Sequence, residues 1–414
     1  MEGGGIRVVF LPKELYPFER VRLTDLYQKE FTSLGNSITW ILQGKERVKV
    51  RKEHRTEGNK FIVTGSLGDS SRISLIGNLI LFPRKYIELN RITRQRGADI
   101  IIVCDGIIDG IVGSVLARRR NIPFVYYLSH LFFDVDINNF KERKTPSTLL
   151  RYHYAIITRY LYRWIIGRAD LFHPISDSME RYYRKLFPKK RMIPLPLCPG
   201  HVFLDNAGAG GKKRNTVKKI IYIGKINKAR KTDMYIDVLR EVHYRTDIKP
   251  HLHLYGPFSE SYGKVLLKKA EDAGLANWFH LNPPKPISDI PKLIADADIG
   301  ISLYPPILVF KMCSPTKAVE YLSQGTPVVG NEEVVDLDHV IRSSGGGFSV
   351  PYDVGMIADR IIYLLEREDL AIELGERGRK WVREHRTYRS YALRIQKAYM
   401  EIIRNWAGIK EVKD

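Results

Sequence analysis

A lone carboxylate and a favourable helix start occur together between Cys313 and Val329. Ser314 is a good N-cap residue and Pro315 suits the first helical position, so we predict a helix that begins here and ends at Gly325. The free N–H groups and partial positive charge of a helix start favour a phosphate. Glu320 lies about one and a half turns further along, where its carboxylate could accept hydroxyl hydrogen bonds. A phosphate cradle beside such an acid is what a nucleotide-sugar site requires.

A second anion-binding pattern begins after the predicted strand Lys219–Ile223. Gly224 ends the strand, and four cations then occur over seven positions, at residues 225, 228, 230 and 231. Glycine permits close approach of a ligand to the backbone, and the cations could neutralise diphosphate oxygens. Such a run taken alone is more often a basic surface loop, but its occurrence together with the helix start at residue 314 favours a phosphate site.

Polar side chains also follow two predicted strands in the first half of the chain. His130 comes after the strand Phe124–Leu128, with Asp134 close behind, and Asp105 follows a strand that ends at Cys104. Side chains at the carboxyl ends of parallel strands face ligands, so Asp105 and Asp134 are acceptor-side candidates. Helix capping remains the more common role for an acid such as Asp105, and capping or packing the more common role for an isolated histidine.

Metal and cofactor chemistry find little support in the sequence. No group of His, Asp and Cys residues shows metal-ligand spacing, and the Asp134-Val135-Asp136 pattern does not follow a strand directly. The three cysteines are scattered, which favours a reducing compartment without structural zinc. We therefore predict no metal ligands and no cofactor.

The order of apolar runs and helix-length segments predicts a parallel α/β architecture. Two such series form two Rossmann-like domains that face a cleft. We place the first domain at residues 1–204, a flexible linker at 205–216, the second domain at 217–387 and a final amphipathic helix within 388–414. The predicted strands are Ile6–Leu11, Ser37–Leu42, Lys60–Thr64, Asp99–Cys104, Phe124–Leu128, Leu171–Pro174, Arg191–Pro194, Lys219–Ile223, His251–Leu254, Trp278–Leu281, Ile299–Leu303 and Val328–Gly330. The predicted helices of the first half cover residues 19–34, 74–96, 109–120, 146–168 and 176–187.

The charge is strongly and unevenly positive. The chain carries a formal net charge of +21, and residues 1–200 hold 34 Lys and Arg against 19 Asp and Glu. A basic half could meet an anionic membrane, a phosphorylated acceptor or nucleic acid, or could form a solvated surface. The segment 149–168 is aromatic, apolar and basic, so it could lie in a membrane interface, although such helices more often pack on their own sheet.

The segment from Cys313 to Val329 resembles the donor-site helix of retaining glycosyltransferases of family 4, which have the GT-B fold. Glu320 falls on the second of the two family glutamates. Met312 stands at the first, as in branches that read Ser-Pro-Thr-Lys-x-x-Glu-Tyr. The segment 224–231 resembles the family element whose two cations hold the donor pyrophosphate. The resemblance implies catalytic roles for His130, Lys225, Lys231 and Glu320, and donor binding by Gly224, Ser314, Pro315, Thr316, Lys317 and Glu320.

This resemblance implies a reaction and an arrangement of domains. A hexose would pass from a nucleoside diphosphate sugar to a hydroxyl of a glycan or lipid-linked acceptor, with retention of configuration and without metal. The last helix would cross back to the first domain. Another GT-B enzyme, such as a sugar-nucleotide epimerase or a phosphorylase, is one alternative. A non-catalytic basic scaffold or nucleic-acid-binding protein is the other, although no nucleic-acid partner is expected because no binding module is recognised.

The sequence also bears on location. No signal peptide precedes the first strand, and no apolar run approaches the ~18 residues of a membrane span. We therefore predict a cytoplasmic protein, with peripheral contact to the cytoplasmic membrane face as the alternative to a freely diffusing one.

Overall fold

The computed structural model describes residues 5–45, 51–65, 74–131, 133, 137, 145–205 and 216–411. For residues 74–82 and 409–411 it describes the backbone only. The chain forms two compact units. The first comprises Met1–Pro196 with Tyr388–Asp414, and the second comprises Leu197–Thr387. The second unit therefore begins before the predicted linker, parts of which lie outside the described residues.

The first unit contains a seven-stranded sheet in the order β3-β4-β2-β1-β5-β6-β7. Only β3, at the edge, is antiparallel to its neighbour. The central strands are uninterrupted apolar runs buried on both faces, as parallel strands require. The strands are β1 (Arg7–Pro12), β2 (Ser37–Leu42), β3 (Lys52–Thr56), β4 (Asn59–Val63), β5 (Ile100–Cys104), β6 (Phe124–Leu128) and β7 (Leu171–Pro174).

The second unit contains a six-stranded sheet in the order β10-β9-β8-β11-β12-β13, with all its pairs parallel. Its strands are β8 (Lys219–Ile223), β9 (His251–Tyr255), β10 (Phe279–Asn282), β11 (Ile299–Ser302), β12 (Val328–Asn331) and β13 (Gly347–Val350). Apolar clusters lie on both faces of this sheet: Leu252 and Leu254 belong to one, and Ile221 belongs to the other.

Helices cover the two sheets. A helix with wide π-type turns, Arg22–Phe31, precedes β2, and a short 3-10 helix, Lys228–Arg230, follows β8. The α-helices are α1 (Ser74–Arg94), α2 (Ile107–Arg120), α3 (Pro146–Arg168), α4 (Asp177–Arg184), α5 (His201–Asp205), α6 (Met234–Arg245), α7 (Glu260–Asp272), α8 (Ile290–Ala295), α9 (Leu308–Lys311), α10 (Thr316–Ser323), α11 (Val335–Ser344), α12 (Val354–Leu365), α13 (Glu368–His385) and α14 (Tyr388–Glu411).

The last helix, α14, packs within the first unit against the π-type helix. The Tyr399 hydroxyl lies 3.2 Å from the Tyr27 hydroxyl and 3.0 Å from Nε2 of His173. All three side chains are buried. Burial lowers the pKa of His173 to about 4, so its imidazole is neutral at pH 7. This polar cluster joins the final helix to the sheet through β7.

The predicted α/β fold with two Rossmann-like domains is confirmed. The structure adds β13 to the predicted strands, and two other local predictions differ from it. The predicted strand Arg191–Pro194 is wrong, because only Met192 bridges to the edge strand β7. Strand β3 was missed, because all five of its side chains are exposed and the segment carries no apolar pattern. Within the described ranges, no helix combines the length and apolar character needed to cross a membrane.

Candidate functional site

The second sheet changes its winding direction at β8. The chain adds β9 and β10 on one side of β8 and then returns to place β11 on the other side. In open parallel sheets, ligands bind outside the carboxyl ends of the strands at such a switch point. Gly224 follows β8 and Tyr304 lies just beyond β11, so both residues lie at this edge of the sheet.

Gly224 permits a close approach between the loop after β8 and helix α10. Its φ of +148° suits glycine. A Cβ at this position would lie 2.6 Å from Cε and 3.1 Å from Nζ of Lys317. A larger residue would therefore displace the Lys317 side chain, and the glycine is required for the position of this lysine.

Lys317 places its ammonium group in a buried aromatic enclosure. Nζ donates a hydrogen bond of 2.6 Å to the Tyr304 hydroxyl and lies 4.8 Å from the centre of the Tyr304 ring and 5.2 Å from that of Tyr222. Burial, with the nearby positive charge of Arg230, lowers the pKa of Lys317 well below its ordinary value. An anion bound beside it would reverse this effect.

Arg230 is the second cation of this enclosure, and its side chain is partly buried. Its guanidinium lies 5.3 Å from the centre of the Tyr304 ring and 5.9 Å from that of Phe310. Burial opposes its charge, but Tyr304 and Tyr222 outweigh burial and raise the pKa of Arg230. Its buried Nη1 atom has no hydrogen-bond partner among the residues that the structure describes. A buried donor without a partner is costly, so this atom is a candidate ligand contact.

Helix α10 begins beside these cations. Pro315 precedes it in extended backbone, and no described side chain caps the first turn. The first N–H groups of the helix thus remain available to an anion. Glu320 lies on the same helix and is partly buried. This burial raises the pKa of Glu320, while the charge of Lys317 and a side-chain hydrogen bond from Thr316 lower it by a smaller amount. The arrangement combines two cations, free N–H groups and one carboxylate.

Ser314 does not cap this helix, which corrects the sequence prediction. Its hydroxyl donates a hydrogen bond of 2.6 Å to Asp336 and accepts one of 2.9 Å from the N–H of Leu197. Arg386 donates to both oxygens of Asp336, at 2.7 and 2.8 Å, and its Nε donates to the Leu197 carbonyl at 3.1 Å. Because this buried network occupies the Ser314 hydroxyl, the serine anchors the loop before α10.

The fold has known relatives among solved structures. Sucrose-phosphate synthase from Thermosynechococcus elongatus is similar over 96% of this chain and 100% of its own, with 15% identity and a TM-score of 0.74. WaaG, a glycosyltransferase involved in lipopolysaccharide biosynthesis, is similar over 95% of this chain and 99% of its own, with 14% identity and a TM-score of 0.62. Anabaena Alr3699/HepE, solved with UDP and glucose, is similar over 96% and 100%, with 12% identity and a TM-score of 0.62. Comparison with curated proteins found no match.

Two family models divide the chain between them. The model described as Glycosyltransferase Family 4 matches residues 29–196, and the model described as Glycosyl transferases group 1 matches residues 208–381. The protein is a glycosyltransferase of the GT-B fold. The second match contains the whole arrangement at the switch point.

The structure of this glycosyltransferase distinguishes between the cations that the sequence analysis named. Lys225 and Lys231 are both exposed, and Lys231 has a left-handed backbone with φ of +47°. Arg230, which the sequence analysis did not select, carries its guanidinium into the enclosure with Lys317. Its position at the end of the 3-10 helix, before the left-handed residue, is a local geometry that the run of cations does not reveal.

The first-unit candidates of the glycosyltransferase lie at the switch point of the other sheet, between β1 and β5. Asp105 accepts hydrogen bonds from buried Arg22 at 2.9 Å and from the N–H of Ser129 at 2.7 Å. It does not cap α2, whose N-cap is Gly106. Asp105 therefore holds the loop that leads to partly exposed His130. Asp134 lies outside the described residues.

The Ser314 network gives a stability prediction. Asp336→Asn should destabilise the glycosyltransferase by about 3–5 kcal/mol, because it leaves the Arg386 charge buried and poorly paired. Urea unfolding measures the change. Asp338→Asn is the matched control on the same helix: its ion pair with Arg342 is exposed and worth at most about 1 kcal/mol. An equal decrease in the free energy of unfolding in the two variants would contradict a special role for the buried network.

Proposed function

We propose that the protein transfers a hexose from a nucleoside diphosphate sugar to an acceptor hydroxyl, with retention of configuration and without a metal at the diphosphate. The observation that carries the proposal is the pairing of Lys317 with Arg230, whose Nη1 lacks a partner in the described structure. A buried lysine beside a partly buried arginine, with one carboxylate near them, is costly unless an anion binds. A diphosphate supplies negative oxygens that both cations can contact.

The chemical role of these cations follows from the charge that develops during transfer. When the bond between the sugar and the diphosphate breaks, negative charge accumulates on the leaving oxygens. Donors already fixed in a buried enclosure stabilise that charge without reorganisation. We assign this role to Arg230 and Lys317, and we place Lys225 at the exposed margin of the site.

The remaining groups would orient the donor. Gly224 would let the diphosphate approach the backbone, and the N–H groups around Pro315 and Thr316 would bind its oxygens. Glu320 would accept hydrogen bonds from the ribose hydroxyls. A sugar contact by His130 stays a prediction from the family resemblance, as do retention and the absence of metal.

Thermal stabilisation by a ligand panel tests this proposal. Uridine, guanosine and adenosine diphosphates and their sugars should be compared, beginning with UDP and UDP-glucose because one structural relative was solved with UDP and glucose. A ligand at 100 times its dissociation constant stabilises the folded state by ~2.7 kcal/mol. A selective shift in melting temperature supports the donor assignment. The absence of any shift would overturn it and favour a non-catalytic role.

We further propose that helix α3 rests on an anionic lipid surface, which suits a lipid-linked acceptor. Large apolar and aromatic side chains point outward along one side of this helix, with exposed fractions of 41–75%: Leu150, Tyr154, Ile157, Tyr160 and Trp164. Their spacing keeps them within one face of the helix. Arginines flank the aromatic rings: Arg168 lies 4.5 Å from Trp164 and Arg163 lies 5.9 Å from Tyr160. Such a face matches the apolar boundary and the charged headgroups of a membrane.

Vesicle binding tests the role of α3. A triple variant, Leu150→Ser, Ile157→Ser and Trp164→Ser, should bind anionic vesicles at least tenfold more weakly, because each buried large apolar side chain contributes roughly 1.5–3 kcal/mol. Co-sedimentation with vesicles of anionic and neutral lipid measures this. Tyr244→Ser removes an apolar side chain that is 88% exposed on α6 and should not change binding. Equal binding by the triple variant would refute the membrane proposal but not the donor proposal.

A further inference from the structure

Three histidines come together on the second sheet. His251 and His253 alternate with buried Leu252 and Leu254 along β9, so the two imidazoles share the opposite face of the strand. The register pairs His280 of β10 with His253. No spacing in the sequence predicts this group, because the third histidine lies on another strand and only strand pairing reveals it.

The three imidazoles lie close enough to share a ligand. One potential ligand nitrogen from each ring lies within 4.8 Å of the others, and Nδ1 of His251 is 2.8 Å from Nε2 of His280. The ring centres of His253 and His280 are 4.4 Å apart. A tetrahedral ion with bonds of about 2.0–2.1 Å places its nitrogens about 3.3 Å apart. The nitrogens are close enough for this spacing, and the near-parallel rings would have to rotate to direct them at one ion.

The surroundings leave these nitrogens available. Apart from one another and the ring of Tyr255, the three imidazoles have no hydrogen-bond or ring partner within the described part of the chain. Lys219, which pairs with His251 across β8 and β9, has its ammonium group 3.3 Å from Asp296. The three histidines are partly exposed, so an ion can reach them from solvent.

We propose that His251, His253 and His280 form a binding site for a transition-metal ion such as Zn²⁺. Imidazole nitrogens suit Zn²⁺, Cu²⁺ and Ni²⁺, and three protein ligands leave a fourth position for water or another donor. The site lies along the middle and amino-terminal part of the strands, whereas Gly224 and Tyr304 follow their carboxyl ends. It is therefore separate from the donor site.

The test uses the full chain without a polyhistidine tag. Zn²⁺ is titrated in competition with a chromophoric chelator, and Co²⁺ absorption reports four-coordination. Wild-type protein should bind one equivalent at this site. His280→Gln and His251→Gln should each weaken binding by more than the ~10–100-fold that loss of an outer-shell partner costs.

The control is His339→Gln, which removes a single histidine from α11 and should leave Zn²⁺ affinity unchanged. Circular dichroism checks the fold of each variant. The stabilisation of His280→Gln by the nucleotide panel should match that of wild type, so failure of the metal proposal and failure of the donor proposal are separable. Wild-type affinity and stoichiometry in either His280→Gln or His251→Gln would overturn the metal site.

Discussion

Lys317→Met should abolish binding of nucleoside diphosphates and at the same time stabilise the ligand-free protein. The methionine fills similar space between Tyr304 and Tyr222 but removes a buried charge that lies near Arg230. We expect the free energy of unfolding to rise by about 1–2 kcal/mol, since replacing buried charge by apolar atoms is often stabilising. Differential scanning fluorimetry with and without UDP measures both effects.

The same variant gives a pH test with a definite sign. The pKa of Lys317 in the folded state lies well below its ordinary value of 10.5. At pH values between the lowered pKa and 10.5, the unfolded chain binds more protons than the folded chain, so the free energy of unfolding rises with pH. The contribution of Lys317 to this pH dependence of the free energy of unfolding should be absent in Lys317→Met. A bound diphosphate should raise the pKa of Lys317, so binding above the lowered pKa should take up protons.

Lys292→Met is the control for this substitution, because Lys292 is an exposed lysine on α8. It should leave both melting temperature and nucleotide binding unchanged. A Lys317→Met protein that is less stable than wild type without ligand, or that binds UDP as tightly, would contradict our account of the buried cation.

Arg230→Met should lower turnover about 100- to 1,000-fold, which is the typical cost of removing one fixed donor to developing negative charge. Release of nucleoside diphosphate from the donor found in the ligand panel measures turnover without knowledge of the acceptor. Arg230→Lys keeps the charge but loses the planar fork, so we expect an intermediate loss.

Lys231→Gly distinguishes our assignment of Arg230 to the diphosphate from the sequence prediction, which gave that role to Lys231. Glycine fits the positive φ of this position, so the variant should fold without strain. The exposed side chain of Lys231 points to a small effect on turnover. A large loss in Lys231→Gly together with an active Arg230→Met protein would restore Lys231 as the cation at the diphosphate.

Sequence patterns predict the fold well because the sheets are built from buried apolar strands. The bounds of β2, β6, β7 and β8 coincide with their predicted apolar runs. The failure at β3 has the opposite cause: an exposed edge strand needs no apolar pattern.

The donor elements could also be located from sequence, but the choice between neighbouring side chains could not. Ser314 looked like a cap because capping depends on residue type, while its actual partners, Asp336 and Leu197, are distant in the chain. Arg230 and Lys231 differ by one position, and only the 3-10 turn decides which of them places its charge in the aromatic enclosure. The three histidines depend on strand register in the same way.

The contact between Leu197 and Arg386 has a consequence for how the second unit can be connected to other chains. Leu197 is the first residue of the second unit and Arg386 is next to its last, and a hydrogen bond of 3.1 Å joins them. A unit whose two ends meet can be inserted into a host chain, excised or circularly permuted with little disturbance of its interior. Residues 197–387 could therefore be exchanged between related enzymes as one continuous segment.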